Sequence, residues 1–375
     1  MTGPLTLTLC LTHQCNLRCR YCYAGRKYRS TMSQATLERA VDIALDEAQR
    51  LGRHLDISFF GGEPLLEWEL LQYGWQYATQ KATDSKVRLR FGLTTNGTLL
   101  SQEKSAWLVE RDFLIGLSLD GSPAMHNTNR CFANGSGSHT QASRALRHLQ
   151  QYPSARFKII CVVDPHNHLY LCEGVRWLHR HKVGTIGLNF DYWSPWSDAQ
   201  FESLAHHMQL LADQVLDSYR AGTPWQVECF ADKIRSYIEQ PQHSCNRCRL
   251  GERELAVSVD GHFFPCSRLV GVGDDPAITF GDVHTGINRA RQQFIIATRG
   301  NATPECRLCV LRYRCINSCG CSNFASSGAI NQVSPFLCNL QQLIIRLADT
   351  LAETLYAERN PAFMQQFYGQ CHPSA

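Results

Sequence analysis

Thr12-His13-Gln14-Cys15-Asn16-Leu17-Arg18-Cys19-Arg20-Tyr21-Cys22 sets three cysteines in C-x3-C-x2-C spacing. Four thiolates saturate a cubane iron–sulfur cluster, whereas three leave one iron open to another ligand. An open iron in a catalytic protein invites a substrate or cofactor to bind there. Zinc is the competing reading, but zinc takes a fourth ligand and usually pairs of ligands. No fourth Cys or His completes a local set, although His13 lies close by.

Outward from this stretch, Leu5, Leu7, Leu9 and Leu11 alternate with Thr6, Thr8 and Cys10, which is the period of a strand. Leu37, Val41, Ala44, Leu45 and Ala48 follow the helical period and predict a helix over Ser33 to Arg50. Further strands are expected at Leu55 to Phe60, Val87 to Leu93, Phe113 to Leu119, Phe157 to Val163 and Ile186 to Phe190. Helical stretches such as Ser143 to Gln151 and Tyr170 to His181 fit between them. Strands linked by helical crossovers imply an α/β fold with a parallel sheet wrapped by helices. In parallel α/β sheets the chemistry sits on loops after the strand C-termini. Cys15 follows Leu11 by four residues, where that rule places a reactive loop. Asp198 to Tyr219 reads as a long helix bridging to a second region. A C-terminal helix, about Leu340 to Tyr356, is expected to pack back on the barrel.

The chain has 375 residues, 44% apolar and 19% charged, an ordinary globular composition. The net charge of +4 comes without a basic run or stripe, so no nucleic-acid partner is expected. Eighteen cysteines in a chain this long, without a signal-like N-terminus, do not read as a secreted disulfide framework. No apolar stretch approaches the ~20 residues that span a bilayer, so no membrane association is expected. The cysteines read as metal-binding thiolates in a reducing, cytoplasmic setting.

The cluster motif resembles that of the radical S-adenosylmethionine (radical SAM) enzymes. The resemblance implies a partial (β/α)6 barrel in which Cys15, Cys19 and Cys22 hold a [4Fe-4S] cluster. SAM chelates its open iron, and one-electron reduction yields a 5′-deoxyadenosyl radical that takes a hydrogen atom from substrate. Gly61-Gly62-Glu63-Pro64 follows strand two and resembles the family's motif for the SAM amino group. Glycine lets backbone carbonyls approach an ammonium, and Glu63 can offset its charge. The same four residues also suit a plain strand-to-helix turn with Pro at the first helical position. Thr94-Thr95-Asn96-Gly97 and Ser118-Leu119-Asp120-Gly121 end strands three and four, and both are also ordinary turn chemistry. Resemblance to the anaerobic sulfatase-maturating enzymes implies SAM contacts from Ser118 and Arg130, the latter offering a bidentate fork to the carboxylate. Asn96, Tyr21 beside the adenine, and the Ile186 backbone complete the expected cofactor pocket.

A second array begins near Cys245. Cys248 is followed by twelve residues, Gly261, four residues and Cys266. Cys306, Cys309, Cys315 and Cys319 then follow in C-x2-C-x5-C-x3-C spacing, with Cys338 beyond. Asp260-Gly261 between two apolar runs is a hairpin signal. The array resembles the SPASM domain. By that resemblance Cys245, Cys248, Cys266 and Cys319 hold one auxiliary [4Fe-4S] cluster, and Cys306, Cys309, Cys315 and Cys338 hold another. A zinc site on Cys245/Cys248 with Cys306/Cys309 is the alternative. Cys321, two residues from Cys319, could substitute for it. The close Cys245/Cys248 spacing leaves open a smaller first cluster or an unusual ligand. Arg247, Arg249, Arg253, Arg268, Arg307 and Arg314 lie around these cysteines in sequence.

The expected division is a core barrel with bridging helix over 1–225, a SPASM region over 226–340 and a C-terminal helix over 341–375. The resemblance points to a maturase that oxidises or crosslinks side chains of a precursor peptide or protein, as in ribosomally made and modified peptides (RiPPs). The alternative is a sulfatase-maturating enzyme making formylglycine. That family carries an Asp after the cysteine matching Cys266, where this chain has Ser267. Asp191, at the exit of strand six, is the replacement candidate as base, with a turn cap as its bland reading. Tyr192, Trp193 and Trp196 are expected either to wall a peptide site or to pack between elements. An external electron donor such as flavodoxin or ferredoxin is implied. Leader recognition is expected to need a groove on this chain or a separate leader-binding protein.

Overall fold

The computed structural model describes residues 3–25, 27–238, 248–273, 278–300 and 303–369. Strands β1 (Leu5–Thr12), β2 (Leu55–Gly61), β3 (Leu89–Thr95), β4 (Leu114–Ser118), β5 (Arg156–Val163) and β6 (Ile186–Phe190) pair in parallel with their neighbours in chain order. Helices cross between them, as the alternation of patterns requires: the barrel half is the expected (β/α)6 arrangement. Leu7, Leu9 and Leu11 of β1 are fully buried. Ser33 caps the helix Gln34–Arg50 by accepting the Thr36 N–H at 3.0 Å, which fixes where that helix begins.

The second half joins the same sheet. Strand β7 (Glu254–Val257) pairs in parallel with β1, from Thr6–Glu254 to Leu9–Val257. The expected hairpin forms at Asp260-Gly261, with Gly261 at φ +91°, and β8 (Phe263–Phe264) returns antiparallel to β7. The sheet order is therefore β6-β5-β4-β3-β2-β1-β7-β8. Segment 226–340 is not hung from the barrel by a linker alone, because two of its strands extend the barrel's own sheet.

The C-terminal helix runs Pro335–Ala357 and begins before the expected Leu340, because Ser334 caps it and Pro335 opens its first turn. It packs mainly on helices Asp198–Arg220 and Glu228–Ile238 rather than on the strands. No described helix is long and apolar enough to cross a membrane.

One ion group ties the halves on the outside. Glu47, 6% exposed, accepts from Arg50 at 2.7 Å and from Arg289 Nη1 at 2.9 Å. Burial pushes its carboxyl up, but the hydrogen bonds and charges of Arg50 and Arg289 outweigh burial and bring it from 4.5 to about 2. A lowered carboxyl stabilises the fold above its unfolded value and loses that contribution as pH falls through the folded one. Glu47→Gln is expected to lower the urea midpoint at pH 7. The gap to wild type should close as pH falls from 4.5 toward about 2, read from unfolding curves at each pH.

Candidate active site

The cluster loop leaves the C-terminal end of β1 and is gripped by main chain. Gly62 N–H donates to the Thr12 carbonyl at 2.7 Å and Glu63 N–H to the Gln14 carbonyl at 2.9 Å. A Cβ on Gly62 would lie 2.0 Å from the Gln14 oxygen, and one on Gly61 2.5 Å from the Thr12 oxygen. The two glycines are thus demanded by the approach of the cluster loop itself. On its far side, a Cβ on Gly271 would lie 2.1 Å from the Tyr23 oxygen. Asn96 and Asn16 complete the grip: Asn96 Nδ2 donates to Asn16 Oδ1 at 2.9 Å and approaches Cys15 Sγ at 3.7 Å.

Glu63 is fully buried and does not line the cavity. Its carboxylate accepts from Leu65 N–H at 3.0 Å, Thr95 Oγ1 at 2.7 Å and Asn96 N–H at 2.8 Å. Burial pushes its pKa up against the pull of those donors. Its visible work is to tie the exit of β2 to the exit of β3. The expected neutralisation of an ammonium by Glu63 is not what this geometry offers.

Arg130 also has a partner that sequence reading missed. Its Nε donates to Asp120 Oδ2 at 3.0 Å and its Nη2 to Asp120 Oδ1 at 3.2 Å, so the expected fork is occupied by Asp120. Tyr21 donates its hydroxyl to the same carboxylate, and the Arg130 guanidinium lies 5.1 Å from the Tyr21 ring centre. Val162 N–H adds a bond at 2.9 Å. Burial works against the Arg130 charge, yet Asp120 holds it firmly protonated. The only sequence sign of Asp120 was its place in a strand-end turn.

Cys15, Cys19 and Cys22, with Tyr21, Gly61, Gly62, Asn96, Ser118 and Arg130, line one cavity of about 1020 Å³. Among the described residues Lys27 Nζ is buried without a hydrogen-bond partner, and its charge acts on Cys15. An unpartnered buried ammonium is costly, and an anionic iron–sulfur cluster on the three cysteines is a counter-charge that fits it. Ile186 departs from expectation. It opens β6 at the end opposite Asp191, is 1% exposed, and its N–H donates to Gln226. It is core, because the strand runs from it toward the rim rather than the reverse.

Asp191 follows β6, is buried and lines the cavity. Oδ1 accepts the Trp193 N–H at 2.9 Å and so caps the turn, while Oδ2 is buried with no hydrogen-bond partner among the described residues. Among the aromatics, Trp196 stacks on Phe336 at 5.0 Å and Tyr192 meets the same ring edge-on, which is packing. Trp193 is 40% exposed and lines the cavity with Asp191.

The same cavity reaches the second cysteine array through Cys248, Cys266, Cys315, Cys319, Cys321 and Ser267. Cys248 lies near Cys319, and Cys321 near Cys266. Cys315 is set near Cys338 and Cys306. Cys248 thus groups with Cys319 and not with the Cys306/Cys309 pair that a zinc ribbon would use. Cys245 lies outside the described residues. No three described Cys, His, Asp or Glu side chains converge as one metal ion requires. A cubane takes one thiolate on each of its four irons, so its ligand sulfurs do not converge on a single ion. Arg268 lies among Cys266, Cys319 and Cys321 and donates to Asn189 of β6 at 3.1 Å. Burial opposes its charge, but the thiols and Tyr23 raise its pKa.

A parallel barrel with a three-cysteine loop at its rim defines an enzyme of the radical SAM type, and comparison with known proteins agrees. The radical SAM superfamily profile matches residues 9–169. A cysteine-type anaerobic sulfatase-maturating enzyme of Clostridium perfringens is 33% identical over 270 residues, 68% of this chain and 72% of that protein. Native anSMEcpe with bound AdoMet and Cp18Cys peptide superposes with TM-score 0.79 at 20% identity, over 95% of this chain and 99% of that one. Streptococcus suis SuiB bound to precursor peptide SuiA gives TM-score 0.61 at 16% identity, over 90% and 76%. This chain belongs to the radical SAM superfamily, as a homologue of the anaerobic sulfatase-maturating enzymes. SAM and a [4Fe-4S] cluster come with that membership.

Gly62→Ala is expected to push the Gln14 carbonyl aside. Its signature is faster amide hydrogen exchange across residues 12–22 and reduced iron content, with exchange in helix Asp198–Arg220 unchanged.

Proposed function

We propose that this chain is a peptide maturase that takes hydrogen from a side chain of a ribosomally made peptide and completes a two-electron oxidation or crosslink. The observation that carries this reading is the exchange of carboxylates. By resemblance, Ser267 stands where the sulfatase-maturating enzymes carry an Asp, while Asp191, which lines the cavity, has one oxygen without a hydrogen-bond partner among the described residues. When bound, SAM and its cluster supply a 5′-deoxyadenosyl radical, and two auxiliary [4Fe-4S] clusters supply acceptors for one electron.

The chain's own residues do the rest. Cys15, Cys19 and Cys22 hold the SAM cluster. The Gly61 and Gly62 carbonyls receive the SAM amino group, on a turn that Glu63 and Asn96 keep in place. Ser118 and Arg130 meet ribose and carboxylate, with Asp120 aiming the guanidinium and Tyr21 lying by the adenine. Asp191 Oδ2 takes the proton released when the substrate radical couples and gives up its electron, for a net loss of two hydrogens. Trp193 lines the path of the peptide. A reduced flavodoxin or ferredoxin supplies the starting electron, and leader recognition falls to a groove here or to a separate protein.

Formylglycine formation on a sulfatase is the second reading, favoured by the 33% identity to the Clostridium perfringens enzyme. Asp191 would then be its base.

Three outcomes test these assignments. A cognate peptide should lose two hydrogens by mass and stay unreactive to an aldehyde-trapping hydrazide. Robust aldehyde on a sulfatase-derived Ser or Cys peptide would install the second reading instead. Asp191→Asn should lower turnover by about 10²–10⁴-fold, as for loss of a positioned base, with 5′-deoxyadenosine still formed. Arg130→Ala and Ser118→Ala should weaken SAM binding by about tenfold, or ~1.4 kcal/mol, with iron content little changed.

A further inference from the structure

We propose that the first auxiliary cluster is held by Cys248, Cys266, Cys319 and Cys321, so that Cys321 and not Cys245 gives the fourth thiolate. The proposal rests on the auxiliary-cluster part of the reading above. It departs from the ligand set that resemblance implies, and it comes from how the chain folds around Gly320.

Cys319 is the N-cap of helix Gly320–Ser327, and Cys321 lies in its first turn. A Cβ on Gly320 would lie 2.5 Å from a Leu250 methyl group, two residues beyond Cys248. The glycine therefore lets this turn close on the segment that carries Cys248. The result is a group of neighbouring sulfurs. Cys319 Sγ lies 3.5 Å from Cys321 Sγ, with Cys248 near Cys319 and Cys266 near Cys321, and all four cysteines line the same cavity. The four come from three separate segments, so their convergence is not a by-product of local spacing.

Cys321 is 4% exposed and touches two expected ligands. As a bystander it would leave a protonated thiol wedged between ligand sulfurs. As a ligand it completes the four thiolates that a closed cubane needs. The surroundings suit an anion. The Arg268 charge is felt at three of the four cysteines, and the helix N-terminus adds partial positive charge at Cys319 and Cys321.

The test uses full-length protein reconstituted anaerobically in a Cys15→Ala/Cys19→Ala/Cys22→Ala background, which isolates auxiliary iron. That background is expected to bind about eight irons, two cubanes. Adding Cys321→Ala should leave about four, with one of two reduced-cluster EPR signals gone. Adding Cys245→Ala should leave about eight and both signals. The iron kept on the Cys306, Cys309, Cys315 and Cys338 set reports that the region has folded. Retention of full iron by Cys321→Ala, or loss of a cluster in Cys245→Ala, overturns the assignment. These readouts do not depend on the product formed. A background without auxiliary iron defeats the auxiliary-cluster reading itself, whereas exchanged roles of Cys245 and Cys321 defeat only this assignment.

Discussion

Gly62 approaches the Gln14 carbonyl, and Gly271 approaches the Tyr23 carbonyl, so closely that a methyl group on either would overlap main chain. The loop carrying Cys15, Cys19 and Cys22 is therefore clamped between two backbone turns, one from the exit of β2 and one from the turn after β8. Main-chain contact of this kind leaves little room for side-chain motion to shift the loop. It also couples the two halves of the chain at their reactive ends. The β1–β7 pairing sets the register of that coupling, since it fixes where the turn bearing Cys266 and Arg268 lies against β1. Buried ionic groups then hold the cavity wall: Asp120 with Arg130 and Tyr21 on one side, Glu63 with Thr95 and Asn96 on the other.

Arg268 closes the circuit electrically and mechanically. It follows β8, at one end of the sheet, and reaches Asn189 on β6, at the other. A sheet of this order has two unpaired edges, and here one guanidinium spans them beside the cysteine array. The guanidinium that holds Asn189 also favours the thiolate of Cys319.

The strands were legible because alternating Leu and Thr in β1, and apolar runs in β2 to β6, record burial directly. The Asp260-Gly261 hairpin was legible because its turn needs a residue tolerant of positive φ, and Gly261 has φ +91°. The attachment of β7 to β1 was not, because pairing partners nearly 250 positions apart leave no local trace. The cysteine motifs marked the site, but partners of charged residues stayed hidden. Asp120 reads as a turn residue, and Glu63 reads as a ligand although its carboxylate serves neighbouring donors. Resemblance places Ile186 at a pocket, yet the first residue of a strand lies at the end away from the rim. Spacing alone sets Cys321 beside Cys319, and only the turn around Gly320 shows which other cysteines lie near it.

Because the clamp on the cluster loop is glycine against carbonyl on both faces, no side-chain change elsewhere can relieve a substitution there. The cavity wall is different: Trp193, Ser267 and Asn189 reach it through side chains that can be exchanged without moving the clamp. The fold thus separates what assembles the radical source from what chooses its target. An evolving lineage, or an engineer, can rewrite the wall for a new substrate while the scaffold tolerates no drift at Gly61, Gly62 and Gly271. Diversity of products on one framework is the natural outcome of that division.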